Sequence, residues 1–297
     1  MRLELLPTMK REVKLMSEYI KSAIPQTGRK HKLLSQIIPL FPKNISKFYD
    51  IFTGSGDVFL NVNAQYYLAN DKNTHLIRLH DVIERNGAEF YDEIKRQMKN
   101  FDLSKTNKDG YYKLRDAYNE LPDDVLFYLL ISHSFSNQMR FNKSNKFNLV
   151  FGGRTFNHTM QENYKKHVRK INKMNIEFSN KDFRNMDYDR LGKDDFAYID
   201  PPYRISLAHY NENQGWTRKD EDDLLMLLDD LDSKGIRWAM SNVLEHKGKK
   251  NEVLSEFAKL YNVHYINSDY KNCNYQVKDR VSKTVEVLIT NYRSGAQ

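Results

Sequence analysis

The sequence predicts an α/β fold, a mostly parallel sheet with helices on its faces, and three observations carry that expectation. Strand-like and helix-like segments alternate at both ends of the 297-residue chain, as they do in successive βα units. A glycine-bearing turn at Gly54 and Gly56 follows the first clear strand pattern and opens a helix-like stretch. Between about Glu84 and His167 the alternation fades into charged helical stretches and a polar, aromatic loop around Ser134 to Phe156. That interruption reads as an insertion, 84–167, dividing one domain into the parts 1–83 and 168–297.

Each element has a local reason. Lys47 to Phe52 is strand-like, and Asp57 to Gln65 reads as the helix opened by the glycine turn. Tyr66 to Ala69 is a short second strand ending in Asn70-Asp71. Phe196 to Ile199 is an apolar run of buried-strand type, stopped by Asp200-Pro201-Pro202-Tyr203. Proline lacks an N–H and fixes φ, so the chain must leave the sheet there. Thr217 to Lys234 is helical in period, with leucines 224, 225, 227, 228 and 231 on one face. Thr217 with Asp220 forms a capping pair, and Gly235 is the stop signal. Ile236 to Ser241 and the alternating, β-branched Val285 to Tyr292 are the remaining strands.

The chain carries 47 Lys+Arg against 39 Asp+Glu, a net charge of +8 and a pI near 9.2, a balance suited to a polyanionic partner. Nineteen tyrosines supply flat surfaces for bases. The single cysteine, Cys273, excludes an internal disulfide framework and a thiolate zinc site, and follows Asn272 rather than proline. A Pro-Cys nucleophile for carbon methylation is therefore absent. No apolar run approaches the roughly 20 residues that span a bilayer, and Met1 to Lys21 has no signal-peptide apolar core. A soluble, cytoplasmic protein is the expectation.

Asp200 to Tyr203 is the most informative segment. Open α/β sheets place ligands outside the carboxyl ends of their strands. An acid and a turned-out carbonyl beside an aromatic plate suit an exocyclic amino group on a flat ring; the plainer reading is a strand-end turn. Thr53-Gly54-Ser55-Gly56 lacks the third glycine of the dinucleotide fingerprint, so pyrophosphate binding is less attractive. Asp71 ends the next strand, where an acid can bond ribose hydroxyls or merely cap a turn.

Together these motifs resemble the Dam-type DNA adenine-N6 methyltransferases, in the arrangement with the recognition region between the cofactor motif and the catalytic tetrapeptide. Phe52-Thr53-Gly54-Ser55-Gly56, continuing through Val58-Phe59-Leu60-Asn61, is similar to the family's F-x-G-x-G…V-F-L-N segment. Thr27-Gly28-Arg29-Lys30 resembles its A-G-G-K motif, with Arg29 in place of the second glycine. The resemblance implies a Rossmann-like S-adenosylmethionine-dependent domain with an inserted, mainly helical target-recognition domain, in a bacterial or phage-type context. It implies cofactor binding by Asp50, Phe52, Gly54, Ser55, Gly56 and Asp71, with Lys30 on the methionine carboxylate and Asp182-Phe183 around the cofactor's adenine.

Adenine N6 is a poor nucleophile because its lone pair is delocalised. Asp200 and the Pro201 carbonyl, fixed beside its N–H groups, would orient that lone pair; Pro202 would stiffen the turn and Tyr203 would stack on the base. The sulfonium methyl needs no metal. A base paired in a duplex cannot reach such a pocket, so it must flip out; Tyr210 is a second stacking candidate. Ser136 to Asn142 with Phe147-Asn148 and Phe151-Gly152 is similar to the family's recognition segment. Arg140, or alternatively Arg154, suits guanine, and Asn142 and Asn148 suit adenine. GATC is a compatible target, although the segment departs from the best-known GATC pattern at Asn137-Gln138-Met139. The basic runs Lys165, Lys166, His167, Arg169, Lys170, Lys173 and Lys247, Lys249, Lys250 suit phosphates. Double-stranded DNA is the expected partner, with a cognate restriction endonuclease left open. An RNA adenine or cytosine-N4 methyltransferase, a nicotinamide-dependent dehydrogenase and a catalytically silent DNA-binding subunit are the competing readings.

Overall fold

The computed structural model describes residues 19–205, 215–267 and 284–293. Eight strands form one sheet of order β3-β2-β1-β4-β5-β8-β7, with β6 paired to β5. They are β1 (Lys47–Asp50), β2 (Tyr66–Asn70), β3 (Ile176–Ser179), β4 (Phe196–Ile199), β5 (Arg237–His246), β6 (Lys249–Lys250), β7 (Asn262–Ile266) and β8 (Thr284–Thr290). The first five along that order run parallel, while β8 is antiparallel to both β5 and β7. The helices are α1 (Leu34–Ile37), α2 (Thr74–Asn100), α3 (Lys108–Glu120), α4 (Asp124–His133), α5 (His158–Ile171), α6 (Arg218–Ser233) and α7 (Glu252–Ala258).

Strand alternation builds the two faces of the sheet. Tyr49, Ala197, Ile199, Trp238 and Met240 pack against leucines 224, 225, 228 and 231 of α6 and Leu254 of α7. Phe48, Phe196, Tyr198 and Leu288 point the other way, onto Leu34, Ile37, Phe59 and Ile171. The expected apolar stripe of α6 is therefore the one used, with Leu227 at its half-buried edge and Met226 70% exposed on the far side. The Thr217–Asp220 pair forms a reciprocal capping box, and Gly235 follows the helix at φ +69°.

Helices α2 to α5 make a third core around Leu79, Ile83, Phe90, Tyr111, Tyr128, Leu129 and Tyr164. Helix α4 is buried nearly all round, being apolar from Val125 to Ile131. Each of the four starts at a side-chain cap: Asn73, Asn107, Asp123 and Asn157 accept backbone N–H groups of the first turn. Helices α2 and α5 carry the chain across positions 83 and 167.

Two expectations need correction. The helix predicted over Asp57 to Gln65 is one 3-10 turn, Phe59–Asn61. Gln65 and Tyr66 already bond the Ser46 carbonyl at 3.0 Å, starting β2, and the Asn61 amide bonds the Asp57 carbonyl at 2.7 Å. The strand predicted to end at Ser241 runs on to His246, because β8 pairs along its whole second half.

Candidate active site

The strand order reverses between β1 and β4, which lie side by side with Asp50 opposite Tyr198. Their carboxyl ends open on a cavity of about 960 Å³, at the position where doubly wound sheets hold ligands. Asp50 and Asp200, 150 positions apart in sequence, are brought to one cavity wall by that pairing.

Asp50 is 1% exposed, and its carboxylate makes no well-formed hydrogen bond among the described residues, only weak contacts with Thr53 and the Phe59 N–H. Burial, then the charges of Asp200 and Asp71, push its carboxyl well above the usual range. A buried acid facing a cavity without a well-formed hydrogen bond suits a cationic ligand group. The adjacent turn lets backbone pass close to that ligand. Gly56 sits at φ +84°, and a Cβ there would lie 2.4 Å from the Phe59 ring and 2.8 Å from His80. The Gly54 N–H donates to Asp71 Oδ2 at 2.9 Å, and the Asn73 N–H donates to Asp71 Oδ1 at 2.8 Å. A carboxylate offers about four acceptor sites, so Asp71 keeps capacity for a hydroxyl.

Arg29 turns away to a bidentate bond with Asp57, Nε to Oδ2 at 2.8 Å and Nη2 to Oδ1 at 2.7 Å. Burial alone would raise the Asp57 carboxyl, but this guanidinium holds it below the usual range. Ser55 Oγ donates to the same carboxylate at 3.0 Å. Arg29 thus braces the loop in which the resemblance expects a glycine.

At Asp200, Oδ1 lies 2.8 Å from Lys30 Nζ and accepts from the Tyr203 hydroxyl at 2.9 Å. The Lys30 ammonium also sits 4.9 Å from the Tyr203 ring centre and 3.9 Å from Glu286 Oε1. Burial, with the charges of Asp200 and Glu286, pushes the Tyr203 phenol well up, so it remains a donor. Lys30, expected on a methionine carboxylate, is here paired with Asp200.

Phe52, Phe183 and Trp216 pack mutually with ring centres 5.6 to 5.7 Å apart, and all three line the cavity. Asp182 stands at their edge, bonded to Lys72 at 3.0 Å and to Arg184. Arg184 also reaches Asp220 and Asp223 at 2.6 Å, tying this corner to the start of α6.

A further part of the lining comes from the segment after α4: Asn137, Gln138, Met139 and Arg140 line the same cavity. Ser136 and Asn137 adopt left-handed φ of 55° and 53°, and Thr27 Oγ1 donates to the Ser136 carbonyl at 2.9 Å. Arg140 Nε donates to Asn148 Oδ1 at 2.8 Å. Asn142 Oδ1 accepts the Ser144 and Lys146 N–H groups, shaping a turn. Arg154 Nη1 donates to Asn137 at 3.2 Å. Phe135 and Val150, joined by a backbone hydrogen bond, are 55% and 50% exposed beside this segment.

Of the expected site residues, Lys30, Asp50, Phe52, Gly54, Ser55, Asp71, Arg140, Asp182, Phe183 and Asp200 to Tyr203 meet in the cavity. Gly56, Asn142, Asn148 and Arg154 are outside its lining, and Tyr210 lies outside the described residues. His167, grouped with the basic run, is fully buried, and Nδ1 accepts from Ala23 at 2.9 Å. Burial lowers it to about 3, so it carries no charge for a phosphate. Glu286 and Trp216 escaped sequence reasoning. Their signals were an acid amid the apolar β8 pattern, and one of only two tryptophans just before a helix cap.

The family model described as D12 class N6 adenine-specific DNA methyltransferase matches residues 27–288. The type II methyltransferase M.FokI of Planomicrobium okeanokoites is 38% identical over 283 residues, 93% of this chain and 43% of that protein. The modification methylase StsI of Streptococcus sanguinis is 38% identical over 286 residues, 93% of this chain and 44% of that protein. A DNA adenine methylase of Haemophilus influenzae is 27% identical over 180 residues, 59% of this chain and 61% of that one. The chain thus spans less than half the length of the first two relatives. It belongs to the D12 class of N6 adenine-specific DNA methyltransferases, and its sheet is the Rossmann-like methyltransferase fold.

Proposed function

We propose that this chain transfers a methyl group from S-adenosylmethionine to N6 of an adenine flipped out of duplex DNA, at a short specific sequence. The carrying observation is the convergence of Asp200 and the buried Asp50 carboxylate on one cavity at the β1–β4 reversal. The cofactor, when bound, supplies an electrophilic sulfonium methyl. The residues suit it: Asp50 for its ammonium group, Asp71 for ribose hydroxyls, and Phe52, Phe183 and Asp182 for its adenine.

Asp200 and the Pro201 carbonyl accept the two N–H groups of the target amine and direct its lone pair into the cavity. Their fixed oxygens stabilise the positive charge that develops there. Pro202 keeps the turn stiff, and the Tyr203 hydroxyl orients Asp200 until the target amine arrives. The segment 134–157 reads sequence, with Arg140 and Arg154 for guanine, Asn142 and Asn148 for adenine, and Phe135 with Val150 as an apolar wedge between opened base steps. This is the Dam-type order of parts, with 84–167 as target-recognition domain and 1–83 with 168–297 as catalytic domain. GATC is the first target to test. The names of M.FokI and StsI favour a cognate restriction endonuclease as partner, and the reading takes the cytoplasm as its site of action.

Incubation of the chain with unmethylated duplex DNA and S-adenosylmethionine, followed by single-molecule mapping, tests both reaction and target. The expected product is N6-methyladenine at one short motif. Asp200→Ala should slow transfer by roughly a hundred- to a thousandfold while retaining cofactor and DNA binding. Near-normal turnover in that variant refutes the assignment of Asp200. Methylation of RNA or of cytosine N4 in place of duplex adenine refutes the substrate.

A further inference from the structure

Glu286 is a buried acid that the proposed reaction leaves without a task. It lies within β8 between Val285 and Val287 and is only 2% exposed, a position where an ionised group needs strong compensation. Its Oε1 accepts from the Tyr203 hydroxyl at 3.4 Å and stands 3.9 Å from Lys30 Nζ. The same two donors reach Asp200 Oδ1 at 2.9 and 2.8 Å. One ammonium and one phenol therefore stand between two carboxylates, nearer to Asp200.

That arrangement bears directly on Asp200. A carboxylate must accept the N–H of an amine that becomes cationic, and an ammonium bound to it opposes that charge where both side chains are largely buried. A second carboxylate beyond the ammonium offers it another seat about 1 Å away. We propose that Glu286 is a positioning residue, holding Lys30 and the Tyr203 hydroxyl so that they shift toward it when the target amine binds Asp200. The inference rests on the reading of Asp200 as the N6 acceptor. It sets Lys30 the task of a movable counter-charge between Asp200 and Glu286, 256 positions apart from its partner in β8.

Single-turnover methyl transfer on duplex DNA, with S-adenosylmethionine affinity by calorimetry, tests this on the full chain carrying Glu286→Gln, Lys30→Met or both. Glu286→Gln should slow transfer at least about tenfold while cofactor affinity changes less than about threefold. In the Lys30→Met background the same change should alter the rate less than about threefold, because the two residues act as a unit. Glu286→Asp, which keeps the charge, should stay within about fivefold of the parent rate. Additive losses, or a rate loss matched by lost cofactor affinity, overturn the proposal. So does an unfolded Glu286→Gln chain, since an isosteric change would then reveal a purely structural role. Absence of transfer by the unaltered chain would instead sink the reading of the site.

Discussion

Asp50 holds a tension between stability and binding. Its carboxyl is buried without a well-formed hydrogen bond among the described residues, and an unsatisfied polar group costs about 1–3 kcal/mol. Burial raises its pKa above that of the unfolded chain, so the folded protein holds a proton that the unfolded chain releases. This contribution is fully present below the unfolded carboxylate range and is lost as pH rises toward the raised folded value. Asp50→Asn should therefore melt higher than the parent at pH 8, with the gap closing toward pH 4, and should bind S-adenosylmethionine at least about tenfold more weakly. Melting curves across that pH range and a calorimetric titration check both parts; parallel pH profiles would contradict the first. The candidacy of Asp50 came from its motif. Its burial beside the cavity did not, because that depends on what β4 and β2 bring beside it.

Among the elements, α2 and α5 approach closely at Gly87. The Gly87 carbonyl accepts from the Tyr164 hydroxyl at 2.9 Å, and a Cβ on Gly87 would lie 2.8 Å from Val168 Cγ2. Two effects compete in Gly87→Ala: a helix-propensity gain of about 1 kcal/mol and an overpacking cost of about 1–3 kcal/mol. Val168 is β-branched and stiff on its own helix, so the clash should win, with a net loss of about 1 kcal/mol. Pairing it with Val168→Ala relieves that clash, so the double variant should lose no more than Val168→Ala alone; denaturant unfolding measures all three. Elements with a strong local signal were legible: β4 and the capped α6 matched the pattern of their own residues. The helix expected over Asp57 to Gln65 was not, because the pairing of Gln65 and Tyr66 with Ser46 competes for the same backbone.

For the molecule as a whole, the charge of +8 needs a geometry before it speaks to DNA. Lys166 and Arg169 are exposed on α5, whereas His167 between them is buried. Removing either exposed charge should weaken binding to every duplex alike and reduce the slope of log affinity against log salt by about one. Filter binding or anisotropy at several salt concentrations reads this, and an effect limited to one target sequence would contradict a phosphate role. Among the described residues no helix is long and apolar enough to cross a membrane.

By itself the sequence determined the local events: a glycine turn after one strand, an Asp-Pro-Pro-Tyr stop after another, and a capped leucine helix. Those follow from φ restrictions, side-chain caps and periodicity, which act over a few residues. Only the tertiary structure decided that Asp50 and Asp200 share a wall, that Arg29 braces Asp57, and that Lys30 stands between Asp200 and Glu286. Strand order and register set those meetings, and they arise from burying both faces of one sheet at once, a constraint that no short window of sequence contains.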